Sequence, residues 1–405
     1  MRRNGGQGET TRRGLLGLGM ALGMSAALAA CSGGGQGIGA QQPSAPAQSA
    51  PTGSFGSGPV QVALLLPFSA GGSGGSTAAV LRNVSEMAVS EVPNSAVTVT
   101  PYDTKGTPQG ARDAALEAIQ NGARLILGPL FSNEVVAAGQ VAGSTNVPVI
   151  AFSSDPNAAG GTVRLLSFLA ESDVNRVVHY AAQNGRKSFG ALVPENAYGI
   201  LVENALRQAV SRNGGQLIAV ERYKSDPAAI KAAAQKFAPI AAGANARVNA
   251  ILAPEGAAAM PHIVTGLSEG GVDLNRVKML GTGQWDDPTV LNIQPLKGGW
   301  FVAPDPAGFN SLQARYRSRY GGDLPRIATL AYDATSLAAA LASIDQNNPY
   351  PANRLDNTDG FQGTDGIFRF NSSGHSQRGL AVLEVQPPGK RVVQTAPNSF
   401  RGQGF

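Results

Sequence analysis

Two short loops carry hydroxyls where they could hold an anion. Residues 128–133 include Ser132 in an N-cap position, and residues 153–157 open with the pair Ser153-Ser154. Serine hydroxyls beside the free N–H groups of a helix's first turn make a donor set for a carboxylate or phosphate. The same residue types also form ordinary caps and turns, so both readings stand. A second pattern, Gly71-Gly72-Ser73-Gly74-Gly75, satisfies G-x-S-x-G, the nucleophile elbow of hydrolases. That elbow needs a tight turn directly after a strand, whereas Ser73 follows Leu66 by seven residues inside a glycine-rich loop. The histidines available to it, His179, His262 and His375, lie outside any pattern typical of a triad, so hydrolysis is discounted and no enzyme is expected. H-E-x-x-H, paired cysteines, a Walker loop and a G-x-G-x-x-G after a strand are all absent from the sequence. Neither a metal nor a cofactor is therefore expected. Trp285-Asp286-Asp287 reads as a turn rather than a calcium loop.

The hydroxyl loops follow two apolar runs of strand length, 125–127 and 148–152, with a helical stretch between them. Strand, helix and strand within about 30 residues make a right-handed βαβ unit. Ligands of open parallel sheets bind beyond the carboxyl ends of such strands. Before this unit come a strand at 60–66, a glycine-rich loop at 71–76, a helix at 79–89 and a strand at 95–100. The next helix carries Thr107 as N-cap, Pro108 in first position and Gly122 as its stop. The pattern then restarts. Helices are expected at 174–185, 198–213, 227–241 and 255–269, alternating with strands at 189–193, 216–223, 249–253 and 277–280. A strand at 300–303, helices at 312–320 and 326–344, and a hairpin of 366–370 with 379–385 complete the chain. This is an α/β protein with two similar lobes, because some 345 folded residues exceed one core.

The first 30 residues read as an export signal: Arg2, Arg3, Arg12 and Arg13, then an apolar run from Leu15 to Ala30. Leu28-Ala29-Ala30-Cys31 resembles a lipoprotein box, with Cys31 as the lipidated residue and the only cysteine of the chain. Thr11-Arg12-Arg13-Gly14-Leu15-Leu16 also resembles a twin-arginine export motif, and the route stays open. Ser32 after the cysteine favours outer-membrane over inner-membrane sorting. Residues 31–58 are mostly Gly, Gln, Ser, Pro and Ala and read as a disordered tether. The whole chain carries a formal charge of +5. Its first 30 residues hold four arginines and one glutamate, leaving 28 basic against 26 acidic side chains beyond them. No basic stripe with interleaved aromatics is present, so nucleic acid is not an expected partner.

Several segments together carry a family resemblance: VALLLPFS, GPLFSNEVVA, NVPVIAFSSD, PENAYG and GTDGIFRFNSSG. They resemble the leucine-type (type I) periplasmic binding protein fold. DTKGTPQGARDAALEAIQNGARLILGPLFSNEV and DGIFRFNSSGHSQRGLAVLEV are most similar to the penicillin-binding protein activator lipoproteins within it. The resemblance spans roughly residues 59–400. It implies two lobes, each an open, mostly parallel sheet with helices on both faces, joined by three crossovers near Leu166, Gly283 and Tyr350. Lobe 1 would then be 59–165 with 284–350, and lobe 2 would be 166–283 with 351–396. The tail hairpin and the AYDATSLAAALAS helix would fall in opposite lobes.

The resemblance also implies roles. Ser132, Ser153 and Ser154 match loop positions that hold an amino-acid carboxylate, Tyr198 a tyrosine packed on the ligand, and Glu255, at the start of its helix, the acid that meets an ammonium group. Phe68, Phe131 and Phe152 join Tyr198 as aromatics that could cover a ligand. Longer activators carry an N-terminal helical-repeat domain, where this sequence has only the tether. The expected function is a non-catalytic, periplasm-facing lipoprotein that regulates a peptidoglycan synthase by contact, held to the outer membrane by its lipid. The alternative is a solute-binding lipoprotein that delivers a branched-chain or related amino acid to an ABC permease. A receptor needs the full carboxylate-and-ammonium set in its cleft; an activator does not.

Overall fold

The computed structural model describes residues 53–401. The export signal, Cys31 and most of the tether lie outside these described residues.

The first sheet is built on the apolar run VQVALLL. Its strands are β1 (Phe55–Gly56), β2 (Val60–Leu66), β3 (Val97–Asp103), β4 (Leu125–Leu127), β5 (Val149–Ala151) and β6 (Val163–Leu165). They lie in the order β1-β3-β2-β4-β5-β6, parallel except for β1. The two faces of β2 feed two cores, as the period of two requires. Leu64 and Leu66 pack with the helices Ser73–Glu91 and Ala328–Ile344. Ala63 and Leu65 pack under the helices Pro108–Gln120 and Ser132–Ser144. Thr107 caps Pro108–Gln120 by accepting the Gly110 N–H at 3.0 Å, as the sequence predicts.

The second sheet takes β7 (Ser188–Pro194), β8 (Gln216–Tyr223), β9 (Ala250–Leu252), β10 (Lys278–Gly281) and β11 (Trp300–Ala303). A small antiparallel sheet follows: β12 (Phe361–Gly363), β13 (Gly366–Phe370) and β14 (Ser376–Arg378). β15 (Ala381–Gln386) and β16 (Gly389–Gln394) then complete the second sheet, in the order β16-β15-β11-β10-β9-β7-β8. The result is an α/β fold of two large, mostly parallel sheets with a small antiparallel sheet beside them.

The chain passes between lobes three times, and two of the passages differ from the expected positions. The first follows β6 at about residue 166, where the sequence put it. The second does not occur near Gly283. β11 is buried along its whole length and pairs in parallel with β10, with Leu280 opposite Trp300, so residues 284–303 stay with lobe 2 and the chain leaves at Pro304. The third is not near Tyr350. Phe368 and Phe370 are buried in the lobe 1 core beside Leu66, Phe152 and the Ala328–Ile344 helix, so the return comes near Gly379. The expected hairpin is therefore split. β13 pairs with β14, Phe370 opposite Ser376, while β15 joins β11 in the other sheet. That helix and β13 consequently share a lobe.

Candidate functional site

A cleft of about 790 Å³ opens where the carboxyl ends of the two sheets face each other. Lobe 1 lines it with Ser154, Pro156 and Asn157 from the loop after β5, and with Arg326 and His375. Lobe 2 contributes Glu171 and Asp173 from the start of the Ala170–Gln183 helix, and Thr282 to Gln284 after β10. Tyr198, Leu201, Asn204 and Gln208 line it along one face of the Ala197–Arg212 helix. Phe168 and Pro304, from two of the crossing segments, complete the wall.

Tyr198 is positioned by its neighbours. Asn196 caps the helix by accepting the Gly199 N–H at 2.9 Å. A Cβ on Gly199 would stand 1.9 Å from the Pro194 carbonyl oxygen, so only glycine lets the helix start this close to β7. The Tyr198 hydroxyl donates to Pro254 O at 3.2 Å, and Thr282 Oγ1 donates to the same carbonyl at 2.7 Å. Burial pushes the Tyr198 phenol above its ordinary range.

Asp173 Oδ2 accepts the Gly283 N–H at 2.9 Å. Burial pushes its carboxyl up to about 7, against the opposing pull of that hydrogen bond and of the Arg378 charge. Below the cleft lies a buried charge set. Arg378 is 3% exposed, donates from Nε to Ser167 O at 3.3 Å, and stacks on Phe168 at 5.0 Å and Phe368 at 5.6 Å. Asp333 accepts the Thr364 N–H at 2.7 Å, and burial pushes it up to about 6 while Arg378 holds it down. Asp365 accepts from Arg326 Nη2 and Thr329 Oγ1, both at 2.6 Å. Sequence reasoning passed over this set. A signal was present: Asp333 is the one charged residue in AYDATSLAAALAS, and an ionisable group inside an apolar helix face needs a partner.

Of the residues the sequence singled out, Ser154 and Tyr198 line the cleft. Ser132 is the first helical residue rather than the cap, and its Oγ donates to Asp155 Oδ2 at 2.6 Å. Ser153 is buried and accepts the Asp155 N–H at 3.1 Å. Glu255 accepts from the Tyr223 hydroxyl at 3.0 Å and precedes its helix, which begins at Met260, by five residues. Phe68 and Phe152 are buried in the lobe 1 core. Ser73 opens the helix Ser73–Glu91, while His179 bonds Asn213 and His375 bonds Pro156 O.

Residues 59–390 match the profile of a family described as Periplasmic binding protein. The chain belongs to the periplasmic binding protein family. This binding protein superimposes on the C-domain of LpoA from Haemophilus influenzae, a regulator of PBP1A. The TM-score is 0.62 at 17% identity, over 82% of this chain and 99% of that one. A branched chain amino acid ABC transporter periplasmic ligand-binding protein from Burkholderia xenovorans gives 0.63 at 16% identity, over 84% and 96%. Identities this low show the fold alone. An uncharacterized protein of Rickettsia prowazekii is 23% identical over 179 residues, 44% of this chain, and the chain spans about half the length of that curated relative. The family is described as one of binding proteins, and it implies a periplasmic location. Among the described residues, no helix is long and apolar enough to cross a membrane.

Proposed function

We propose that this periplasmic binding protein is a non-catalytic lipoprotein, anchored through Cys31 to the outer membrane, that regulates peptidoglycan synthesis by contact with a synthase. The observation that carries this reading is the dispersal of the expected amino-acid set. Ser132 and Ser153 are engaged by Asp155, and Glu255 is bonded by Tyr223 outside the cleft lining, so Ser154 and Tyr198 stand there without an assembled carboxylate-and-ammonium frame. The likeness to the LpoA C-domain, a regulator of PBP1A, supports the same reading. Regulation by contact is a coupling free energy: the lipoprotein favours the synthase state to which it binds more tightly.

A second reading, a solute-binding lipoprotein serving an ABC importer, is favoured by the open cleft and by the Asp173 carboxyl on its lobe 2 wall. One pair of measurements separates the two. Purified chain is tested for capture of purified bifunctional peptidoglycan synthases and for acceleration of their glycan polymerisation. In parallel, its thermal unfolding is followed with a panel of amino acids. Capture with acceleration and a flat panel is the expected result. A ligand at 100 times its dissociation constant adds about 2.7 kcal/mol, a rise of a few degrees. Such a rise with leucine, without synthase capture, would replace the regulator with the receptor. Palmitate labelling, lost in Cys31→Ser, checks the anchor.

A further inference from the structure

The second sheet has a basic end. Its parallel strands run with their carboxyl ends towards the cleft, since Thr282 to Gln284 line it directly after β10. Their amino ends therefore form the opposite pole of lobe 2. Arg186 and Lys187 immediately precede β7, Arg247 shortly precedes β9, Arg276 and Lys278 stand at the start of β10, and Lys297 shortly precedes β11. Because β7, β9, β10 and β11 are successive neighbours, these cations form a row stepped at roughly 4.8 Å per strand. Chain composition does not account for it, because beyond the first 30 residues the sequence is nearly balanced in charge.

The row is not neutralised from within. Among the described residues none of the six cations forms an ion pair with a carboxylate. Where they bond, they donate to backbone carbonyls. Arg186 Nη1 reaches Arg276 O at 3.0 Å, Lys187 Nζ reaches Asn213 O at 3.3 Å and Lys278 Nζ reaches Gly298 O at 2.6 Å. Two nearby acids pair with other cations, Glu384 with Arg391 and Glu269 with Lys231, while Asp273 accepts the Asn275 N–H and forms no ion pair with the row. Lys187, Arg247, Arg276 and Lys297 are exposed. Burial lowers the Lys278 ammonium from its ordinary range and the Arg186 charge pushes the same way, while Glu384 opposes them.

We infer that this pole of lobe 2 is a docking surface for an acidic face of a partner protein. Strand starts set the spacing of the row and carbonyl bonds hold Arg186, Lys187 and Lys278 in place, an array that suits carboxylates fixed on a folded surface. A membrane surface is the weaker match. Insertion into headgroups needs large apolar side chains beside the cations. The exposed ones lie in lobe 1 (Leu116, Phe131, Val136, Ile344), on the Ala197–Arg212 helix (Ile200) and on β16 (Val392). The inference rests on the regulator reading only in taking the partner to be a protein.

The test uses the full chain and immobilised poly-L-glutamate as probe. Binding at about 30 mM salt should weaken at least tenfold by about 300 mM, where the Debye length falls to roughly 6 Å. Lys187→Glu/Arg276→Glu/Lys297→Glu should lower affinity at least tenfold. A control reversing Lys105, Arg112 and Lys224, exposed at other places, should stay within about twofold. If the triple reversal does not fold, the Lys187→Gln/Arg276→Gln/Lys297→Gln chain replaces it. Equal loss in both triples, or binding to phosphatidylglycerol vesicles with none to poly-L-glutamate, overturns the proposal. Synthase capture separates it from the regulator reading. Capture that survives the pole reversal removes the docking surface and leaves the regulator. Probe binding that needs the pole, with no capture by the unaltered chain, does the reverse.

Discussion

Ser132 Oγ donates to Asp155 Oδ2 at 2.6 Å, joining the loop after β4 to the loop after β5. These two loops were expected to offer their hydroxyls to a ligand, and here they bind each other. The hydrogen bond from Ser132 is the main cause that lowers the Asp155 carboxyl from its ordinary range. A lowered carboxyl contributes stability above its unfolded pKa that is lost as pH falls through the folded one. Ser132→Ala should cost about 1 kcal/mol at neutral pH and less in acid. It should leave any binding in the cleft unchanged. Urea unfolding at two pH values measures the first, and thermal shifts with cleft ligands the second; an altered ligand shift would restore Ser132 to the site.

Asp173 and Asp333 set the opposite pH trend. Both carboxyls are raised by burial from 3.8, to about 7 and about 6. Between the unfolded and folded values the native state holds more protons, so stability falls as pH rises through that window. The melting temperature should therefore decline from about pH 4 to about pH 7 and level off above that. Asp173→Asn keeps an acceptor for the Gly283 N–H and removes the charge from the cleft wall. It should raise stability at pH 8 by about 1 kcal/mol, roughly 2 °C for a chain this size, and change little at about pH 4. A melting curve that is flat in pH for the unaltered chain would refute this.

The legible part of the fold was the part written in local pattern. VQVALLL gave β2, and Thr107-Pro108 with Gly122 bracketed a helix correctly. The lobe boundaries were harder because they depend on long-range pairing. Nothing within WFVA says that it pairs with β10 and β15 rather than in lobe 1, and nothing within GIFRF says that Phe368 and Phe370 fill the other lobe's core. At the site, residue type alone could not tell which hydroxyl reaches the cleft. Ser153 and Ser154 are adjacent, and the alternation of an extended segment buries one and exposes the other. Asp333 stands out in its apolar helix, but its partners Arg378 and Asp365 come from a strand and a turn that meet it only in three dimensions.

Arg378 is the cation on which this set depends. Its charge acts first on Asp333 and then on Asp365, and it stacks between Phe168 and Phe368. Arg378→Met retains much of the packing volume but leaves the buried Asp333 carboxylate without its counter-charge, while Asp365 keeps Arg326. Removing one member of a buried charged set costs about 3–5 kcal/mol. The loss should be larger at pH 8 than at pH 5, because Asp333 is protonated in acid and then needs no partner. Adding Asp333→Asn should recover part of it. Urea titrations of the single and double variants at both pH values check this, and a pH-independent loss would mean that Arg378 acts through packing alone.

Gly199 carries the last prediction, which links backbone approach to the cleft. Its missing Cβ is what lets the Ala197–Arg212 helix start against the Pro194 carbonyl, 1.9 Å from where that atom would stand. Carbonyl backbone cannot swing aside as a flexible side chain can, so Gly199→Ala must push the helix start away from β7. The displacement should cost about 1–3 kcal/mol, the usual range for overpacking. It should also lengthen the Tyr198 hydroxyl bond to Pro254 O, because Tyr198 is the adjacent residue. Gly308→Ala is the control. Its Cβ would meet Thr364 O at 1.8 Å, an equally hard contact, in lobe 1 and away from Tyr198. Both variants should lose stability to urea, while only Gly199→Ala should change the near-ultraviolet signal and quenching of the cleft tyrosine. Equal spectral effects from the two would separate the tyrosine's position from the glycine beside it.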